Sequence, residues 1–293
     1  MINKSLIDKI KHIKCWTQRG VRAPHKSLLI LYAIGRIDDR YIPYNEIEVD
    51  LSNLLDRFGP VRHKNNPHQP FWRLKNDSIW EIPNSDLYRE TSEKDVLVKD
   101  LRKNNAKGGF KSNYYEQLKS DTKSKNEIIS FLLNDHFPSS YHNEILDAVN
   151  LSLDAAPSSN RDPKFREKVL KAYEYKCCIC NLDIRIKGKN AILDAAHIKW
   201  HQAGGSSIES NGLCLCVLHH RIFDRGVIGL NNDSSVIISE YANGGDGFKN
   251  LVLNYNGKKI NNTISEHYKP ALDNINWHTK EVFKSPARKY NEH

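Results

Sequence analysis

Two pairs of metal-binding side chains at matched spacing constrain this chain more than any other feature. Cys177-x-x-Cys180 and Cys216-x-x-His219 each separate two donors by two residues, which lets both face one ion. Together they form a Cys3His tetrahedral set. A Zn²⁺ ion held there would clasp the chain around 180 to the chain around 216. Five of the six cysteines lie between 177 and 216, and in a reducing compartment such a cluster is a metal site rather than a disulfide framework. Cys178 and Cys214 stand outside the set and read as small buried hydrophobes, while Cys15 stands alone.

The charge balance indicates a partner. Lys and Arg number 44 against 35 Asp and Glu, a formal charge of +9, which favours a polyanion and makes nucleic acid the first expectation. The longest apolar run, Ser27 to Gly35, falls far short of the roughly 20 residues that a membrane span needs. The opening MINKSLIDKIKHIKCW has neither a continuous apolar core nor a small-residue cleavage site, so a cytoplasmic protein without membrane contact is expected.

Composition divides the chain into residues 1–150, a small, polar, proline-punctuated linker at 151–163, and residues 164–293. In the first part, periodicity predicts helices over Ser5–Trp16, His25–Ile37, Glu46–Phe58 and around Val96 to Leu101. Phe71–Leu74 and Ile79–Ile82 read as strands joined by a turn at Lys75–Ser78. The basic run from Lys99 to Lys125 suits either a solvated helix face or a phosphate-contacting surface. In the second part, a helix from Phe165 to near Tyr175 precedes two strands within Leu182–Ala196 around a turn at Lys187–Asn190. A glycine-bearing loop, a helix over Leu213–Phe223, a strand pair at Val236–Glu240 and Leu251–Asn254, and an irregular basic end follow.

Between and beside the half-sites lie His197, Asn211 and His220. Singly they read as a core histidine, a helix N-cap and an exposed helical residue. Bracketed by metal half-sites in a basic protein, a histidine ending a strand, an asparagine at a loop junction and a histidine on a helix read together as a ββα-metal nuclease site. The stretch DAAHIKWHQAGGSSIESNGLCLCVLHHRIFDRGVIGL resembles the HNH endonuclease module, in the subgroup with an H-x-x-F-D-R-G signature. The resemblance implies that His197, Asn211 and His220 are the catalytic set and that Cys177, Cys180, Cys216 and His219 bind a structural Zn²⁺. It further implies that neutral His197 deprotonates the attacking water and that Mg²⁺ or Mn²⁺, held partly by His220, neutralises the leaving oxygen. Asn211 would either orient the loop carrying His197 or reach the metal. Many relatives have a ligand immediately before the base histidine. Here that position is Ala196, the nearest acid is Asp194, and an ideal strand turns Asp194 to the opposite face from His197. His201 reads as a loop residue.

Two N-terminal segments, Arg19–Arg36 and Phe58–Ile82, interleave basic residues with rings and prolines. With A-P-H-K at 23–26, P-F-W-x-L-x-N-D-x-x-W at 70–80 and A-x-G-G-F at 106–110, they resemble the sulfur-binding domain of type IV restriction endonucleases that recognise phosphorothioate-modified DNA. The resemblance implies a sulfur-proximal cavity at Pro70 and its neighbours Gln69, Phe71, Trp72 and Arg73, with His25 and Lys26 on phosphate. Arg22, Arg62 and His68 are further basic candidates for DNA contact. Gln69 and Arg73 depart from the aromatic and small residues common at these places.

The expectation is therefore an α+β protein of two domains, a mixed helical and short-strand recognition domain at 1–150 and a zinc-stapled HNH domain at 164–293. Its partner would be double-stranded DNA carrying phosphorothioate linkages. A single-site nuclease that cuts both strands calls for two active sites, which a homodimer supplies. Two rivals are an HNH nuclease reading a methylated base and a non-catalytic, zinc-stabilised DNA-binding regulator.

Overall fold

The computed structural model describes residues 5–14, 17–18, 21–60, 64–92, 95–153 and 163–289. The chain divides into two compact units, Met1–Ser159 and Asn160–His293. Most of the expected linker, 154–162, lies outside the described residues.

The first unit is mainly helical, with α1 (Leu6–Lys11), α2 (His25–Gly35), α3 (Tyr44–Phe58), α4 (His68–Arg73), α5 (Val98–Lys103), α6 (Ser112–Ser120), α7 (Thr122–His136) and α8 (His142–Ala148). α2 is buried from Ser27 to Ile34, as a helix apolar on every side must be. α3 is amphipathic: Ile47, Leu51, Leu54, Leu55 and Phe58 recur in steps of a helical turn and are buried. β1 (Thr17–Gln18) and β2 (Val21–Arg22) form a ribbon. β3 (Ile42–Pro43), β4 (Trp80–Glu81) and β5 (Lys107–Phe110) form an antiparallel sheet with β5 central, pairing Ile42 with Gly108 and Trp80 with Phe110.

The strand expected at Phe71–Leu74 is helical instead. Pro67 precedes α4 and Pro70 lies in its first turn, where a missing N–H breaks no helical hydrogen bond. A 3₁₀ turn over Leu74–Asp77 continues the helix and ends at Ser78, whose φ is 60°. β4 does form within Ile79–Ile82, and its partner is β5. The double glycine of β5 has a packing cause. A Cβ on Gly108 would stand 2.7 Å from both Phe71 Cε2 and Trp80 Nε1, and one on Gly109 would collide with the Arg40 carbonyl oxygen.

The second unit begins with α9 (Pro163–Ala172), followed by a hairpin of β6 (Arg185–Ile186) and β7 (Lys189–Asn190). β8 (Leu193–His197) pairs antiparallel with β9 (Gly212–Cys216), from Leu193 opposite Cys216 to His197 opposite Gly212. α10 (Val217–Asp224) leaves β9 without a loop and packs back on β8 and β9. β10 (Ile228–Leu230) pairs with β11 (Val236–Ile238), and α11 (Asp246–Leu251) and α12 (Leu272–Glu281) complete the unit.

Three expectations are corrected here. Leu182–Ala196 is not one hairpin, because its second half is the separate strand β8, whose partner is β9. Leu213–Phe223 is strand and then helix. β9 is buried along its whole length, and a continuous apolar run of this kind has no period to tell it from a buried helix. Val236–Ile238 pairs with β10 rather than with Leu251–Asn254, which is helical, and the basic end contains α12. Among the described residues no helix is long and apolar enough to cross a membrane.

His278 on α12 lies deep in this unit, stacked on Phe223 with centroids 3.8 Å apart, its Nε2–H donating to the Phe223 carbonyl at 3.0 Å. Burial lowers its pKa to about 4 from an ordinary 6.5. The unfolded chain therefore takes up a proton near pH 6.5 that the folded chain refuses until about pH 4. Stability is full above 6.5 and falls as pH drops towards 4, by roughly 3 kcal/mol in all. His278→Gln is expected to flatten that part of the urea-midpoint profile relative to the parent, which shares every other titrating group. In the first unit, Gly108→Ala is expected to destabilise by about 2 to 3 kcal/mol in urea unfolding, because two buried rings must move.

Candidate active site and metal centre

The four donors expected at a metal come together. Their ligand atoms lie within 4.8 Å of one another, with Cys177 Sγ 3.6 Å and Cys216 Sγ 3.2 Å from His219 Nδ1, and Cys180 Sγ 3.9 Å from Cys216 Sγ. Metal–sulfur bonds of about 2.3 Å in a tetrahedron imply sulfur separations of about 3.8 Å, so the donor set fits a zinc-type ion. His219 Nε2–H donates to the Leu251 carbonyl at 3.0 Å, leaving Nδ1 for the metal. Cys178 and Cys214 are fully buried, and burial pushes the Cys214 thiol up to about 12, so both stay protonated and inert.

His219 and His220 are neighbours on α10 and therefore point about 100° apart, following the 3.6-residue turn. His219 meets the metal cluster, and His220 lies between two carboxylates. Its Nδ1 is 3.2 Å from Asp194 Oδ2 and its Nε2 is 3.2 Å from Asp224 Oδ2. Burial opposes charge on the ring, yet Asp224 and Asp194 outweigh it and raise the pKa to about 9. The two carboxylates differ in access, since the Asp194 side chain is 31% exposed and the Asp224 side chain 2%. An ion from solvent can reach the Asp194 side of the imidazole, and Asp224 can only support it from behind. β8 thus places Asp194 beside His220 without a bulge.

Asn211 is fully buried at the end of the loop before β9, not at a helix N-cap. Its Oδ1 accepts from Lys199 N at 2.8 Å, and its Nδ2 donates to Lys199 O at 3.0 Å and Ser206 O at 2.8 Å. The amide is thus committed to the loop that follows His197. His197 ends β8, stacked on Phe165 with centroids 4.0 Å apart and planes at 18°, with Nε2 3.3 Å from Ser207 Oγ. His201 is exposed, its ring 6.0 Å from that of His197. Sequence reasoning missed Asp224, Phe165 and Ser207. Asp224 carried a signal, four residues after His220 on one helix face. The other two meet His197 only through tertiary packing.

In the first unit the expected DNA contacts divide. Phe71 and Trp72 are wholly buried, against Tyr44 and Trp80 and against Tyr88, so they are core and not surface beside DNA. The Lys26 ammonium points inward, 2.5 Å from Asp77 Oδ2 and 2.9 Å from the Lys14 carbonyl, rather than to a phosphate. Its neighbour His25 is half-buried at the start of α2. Pro70 is buried in α4 and Gln69 half-buried beside it. Arg73 pairs with Asp95 at 2.9 Å, and burial lowers the pKa of nearby His68, which keeps it neutral at pH 7. The Arg22 side chain and Arg62 lie outside the described residues.

Comparison with known proteins follows these two units. The family model of the ScoMcrA-like DNA sulfur-binding domain matches residues 3–154, and that of the HNH endonuclease matches residues 177–231. Among solved structures, the sulfur-binding domain of ScoMcrA complexed with phosphorothioated DNA is similar at 18% identity and a TM-score of 0.45, with 50% of this chain and 96% of that one covered. The type IV phosphorothioation-dependent restriction endonuclease ScoMcrA is similar at 18% identity and 0.47, with 54% of this chain covered but only 35% of that enzyme. The modification-dependent TagI restriction endonuclease is similar at 23% identity and 0.29, with 45% and 41% covered. No curated protein matches the chain. The chain belongs, by a match over more than half its length, to the ScoMcrA-like DNA sulfur-binding domain family, and it joins that module to an HNH endonuclease domain built on the cysteine–histidine centre.

Proposed function

We propose that this chain is a restriction endonuclease that binds double-stranded DNA carrying phosphorothioate linkages and hydrolyses phosphodiester bonds near the mark. The observation that carries the reading is the union, in one basic chain, of a sulfur-binding module with an HNH unit.

His197 is the general base, taking the proton of the attacking water, with its ring seated by Phe165 and Ser207. Asn211 is the positioning residue of the loop, since its amide is already committed to loop backbone. Asp194 and His220 would hold a divalent ion, and the oxygen–nitrogen donor pair suits Mg²⁺ or Mn²⁺, which would supply positive charge at the leaving 3′ oxygen. Asp224 orients His220. Cys177, Cys180, Cys216 and His219 hold the structural Zn²⁺.

In the recognition unit, Pro70 and Gln69 form the sulfur contact over the core rings Phe71 and Trp72, and Arg73 and His25 serve the flanking phosphates. Sulfur in place of a non-bridging oxygen is larger, softer and less hydrated, so placing it against proline carbon costs less than placing an oxyanion there. An unpaired oxyanion is penalised by several kcal/mol, enough for roughly 100-fold discrimination. The enzyme works in the cytoplasm, and cutting both strands brings two chains together.

Incubation of two otherwise identical plasmids with Mn²⁺ or Mg²⁺ is expected to cut only the phosphorothioate-modified one; equal cutting of both would end the sulfur reading. His197→Ala is expected to lower cleavage by about 100-fold or more with DNA binding unchanged. Cys216→Ser is expected to abolish bound zinc, measured by atomic emission, and to lower the melting temperature of the chain.

A further inference from the structure

The β6–β7 hairpin is an exposed ribbon that the nuclease mechanism does not use. Leu182, Ile184 and Ile186 stand at spacings of two and are 42%, 48% and 65% exposed. Their neighbours are Arg185, Lys187 and Lys189, with Asp183 the sole acid between 182 and 190. Ile186 sits opposite Lys189 and Arg185 opposite Asn190, so a cation borders the isoleucine ridge on its own face. Lys187 and Gly188 both have positive φ, 50° and 76°, as a two-residue I′ turn requires, and the tip is therefore narrow.

The ribbon's base is fixed while its tip is free. Cys177 N–H donates to Leu182 O at 3.1 Å and Ala191 N–H to Ile184 O at 2.9 Å, and the Asn190 side chain bonds the backbone of Ile192 and Leu193 at the start of β8. The hairpin is thus anchored on one side to the metal knuckle and on the other to the strand that carries Asp194 and His197. A two-stranded ribbon with so few ladder bonds is marginal alone, and three large aliphatic side chains left in water favour an occupant for this face.

We propose that the β6–β7 hairpin is a DNA-docking element of the nuclease unit, laying its Ile184–Ile186 ridge into a groove while Lys187 and Lys189 meet flanking phosphates. The charge is complementary to DNA, and a two-stranded ribbon matches the major groove of about 12 Å. Apolar side chains exposed beside lysines suit a groove, where carbon of sugars and thymine methyls lies next to phosphate. The inference rests only on the endonuclease assignment of this unit, not on the sulfur reading.

The test uses the full chain carrying His197→Ala, so that binding is read without cleavage, and a short unmodified duplex. Affinity is followed by fluorescence anisotropy as a function of salt. Ile184→Asn with Ile186→Asn is expected to weaken binding roughly tenfold with an unchanged salt slope, since it removes groove contact but no charge. Lys187→Gln with Lys189→Gln is expected to reduce the slope of log affinity against log salt by about 1.8, two phosphate contacts at about 0.9 each. Parental affinity and slope in both variants would overturn the proposal. So would unchanged DNA affinity in the isoleucine variant with a lowered sedimentation coefficient, which would assign the ridge to a second copy of this chain. Should the isoleucine variant lose its zinc, the lysine variant alone decides. Because the duplex carries no sulfur, this test can fail while modification-dependent cleavage stands, and the reverse.

Discussion

The second unit depends on a clasp between two distant stretches of chain. Cys177 and Cys180 leave a knuckle just after α9, Cys216 ends β9, and His219 lies in the first turn of α10. An ion held by these four donors would fix where β9 stops and α10 starts, and so the azimuth of the helix. Once His219 is turned to the clasp, His220 has no freedom left and must face β8, where Asp194 waits. The Asp194–His220 contact therefore depends on the geometry of the four-donor cluster. The order of effects also follows: loss of the ion would release the helix first and the carboxylate contact second.

The Asp194–His220–Asp224 row shows how burial and charge oppose each other. Desolvation alone would keep His220 neutral, but two carboxylates at 3.2 Å outweigh it and favour the imidazolium. Two carboxylates against one imidazolium do not balance, which leaves room for further positive charge on the exposed Asp194 side. Were Asp194 and His220 to hold a divalent ion, Nδ1 would be the ring atom offered to it, while the Asp224 contact at Nε2 would keep the ring oriented.

Much of this was legible in the chain, and the failures share one cause. The spacing of the four donors and the buried helix α2 both rest on local pattern, which a sequence displays directly. β9 was misread because burial on both faces erases the alternation that marks a strand. α4 was misread because Phe71, Trp72 and Leu74 look like a strand until Pro67 and Pro70 are given their helical meaning. Aromatic residues beside cations suit DNA, but Phe71 and Trp72 are core, and Gly108 of β5 marks the close approach of the sheet to Phe71. Phe165 against His197 joins residues that nothing in the local sequence connects.

The segment from Asn211 to Cys216 shows how closely these demands can be set together. Asn211 is held by its amide in the loop after His197. Gly212 must lack a side chain because a Cβ there would run into Val169 and press on Phe165, the two α9 residues nearest it. Phe165 is also the ring that seats His197, so the glycine controls the approach of α9 and, through it, the orientation of that imidazole. Cys214 fills the core between the paired strands, and Cys216 closes the metal clasp. The loop, the seat of His197, the core and the four-donor cluster are thus set within six consecutive residues. A change that shifts β9 by a fraction of an ångström would be felt at both histidines, although only one of them adjoins the clasp.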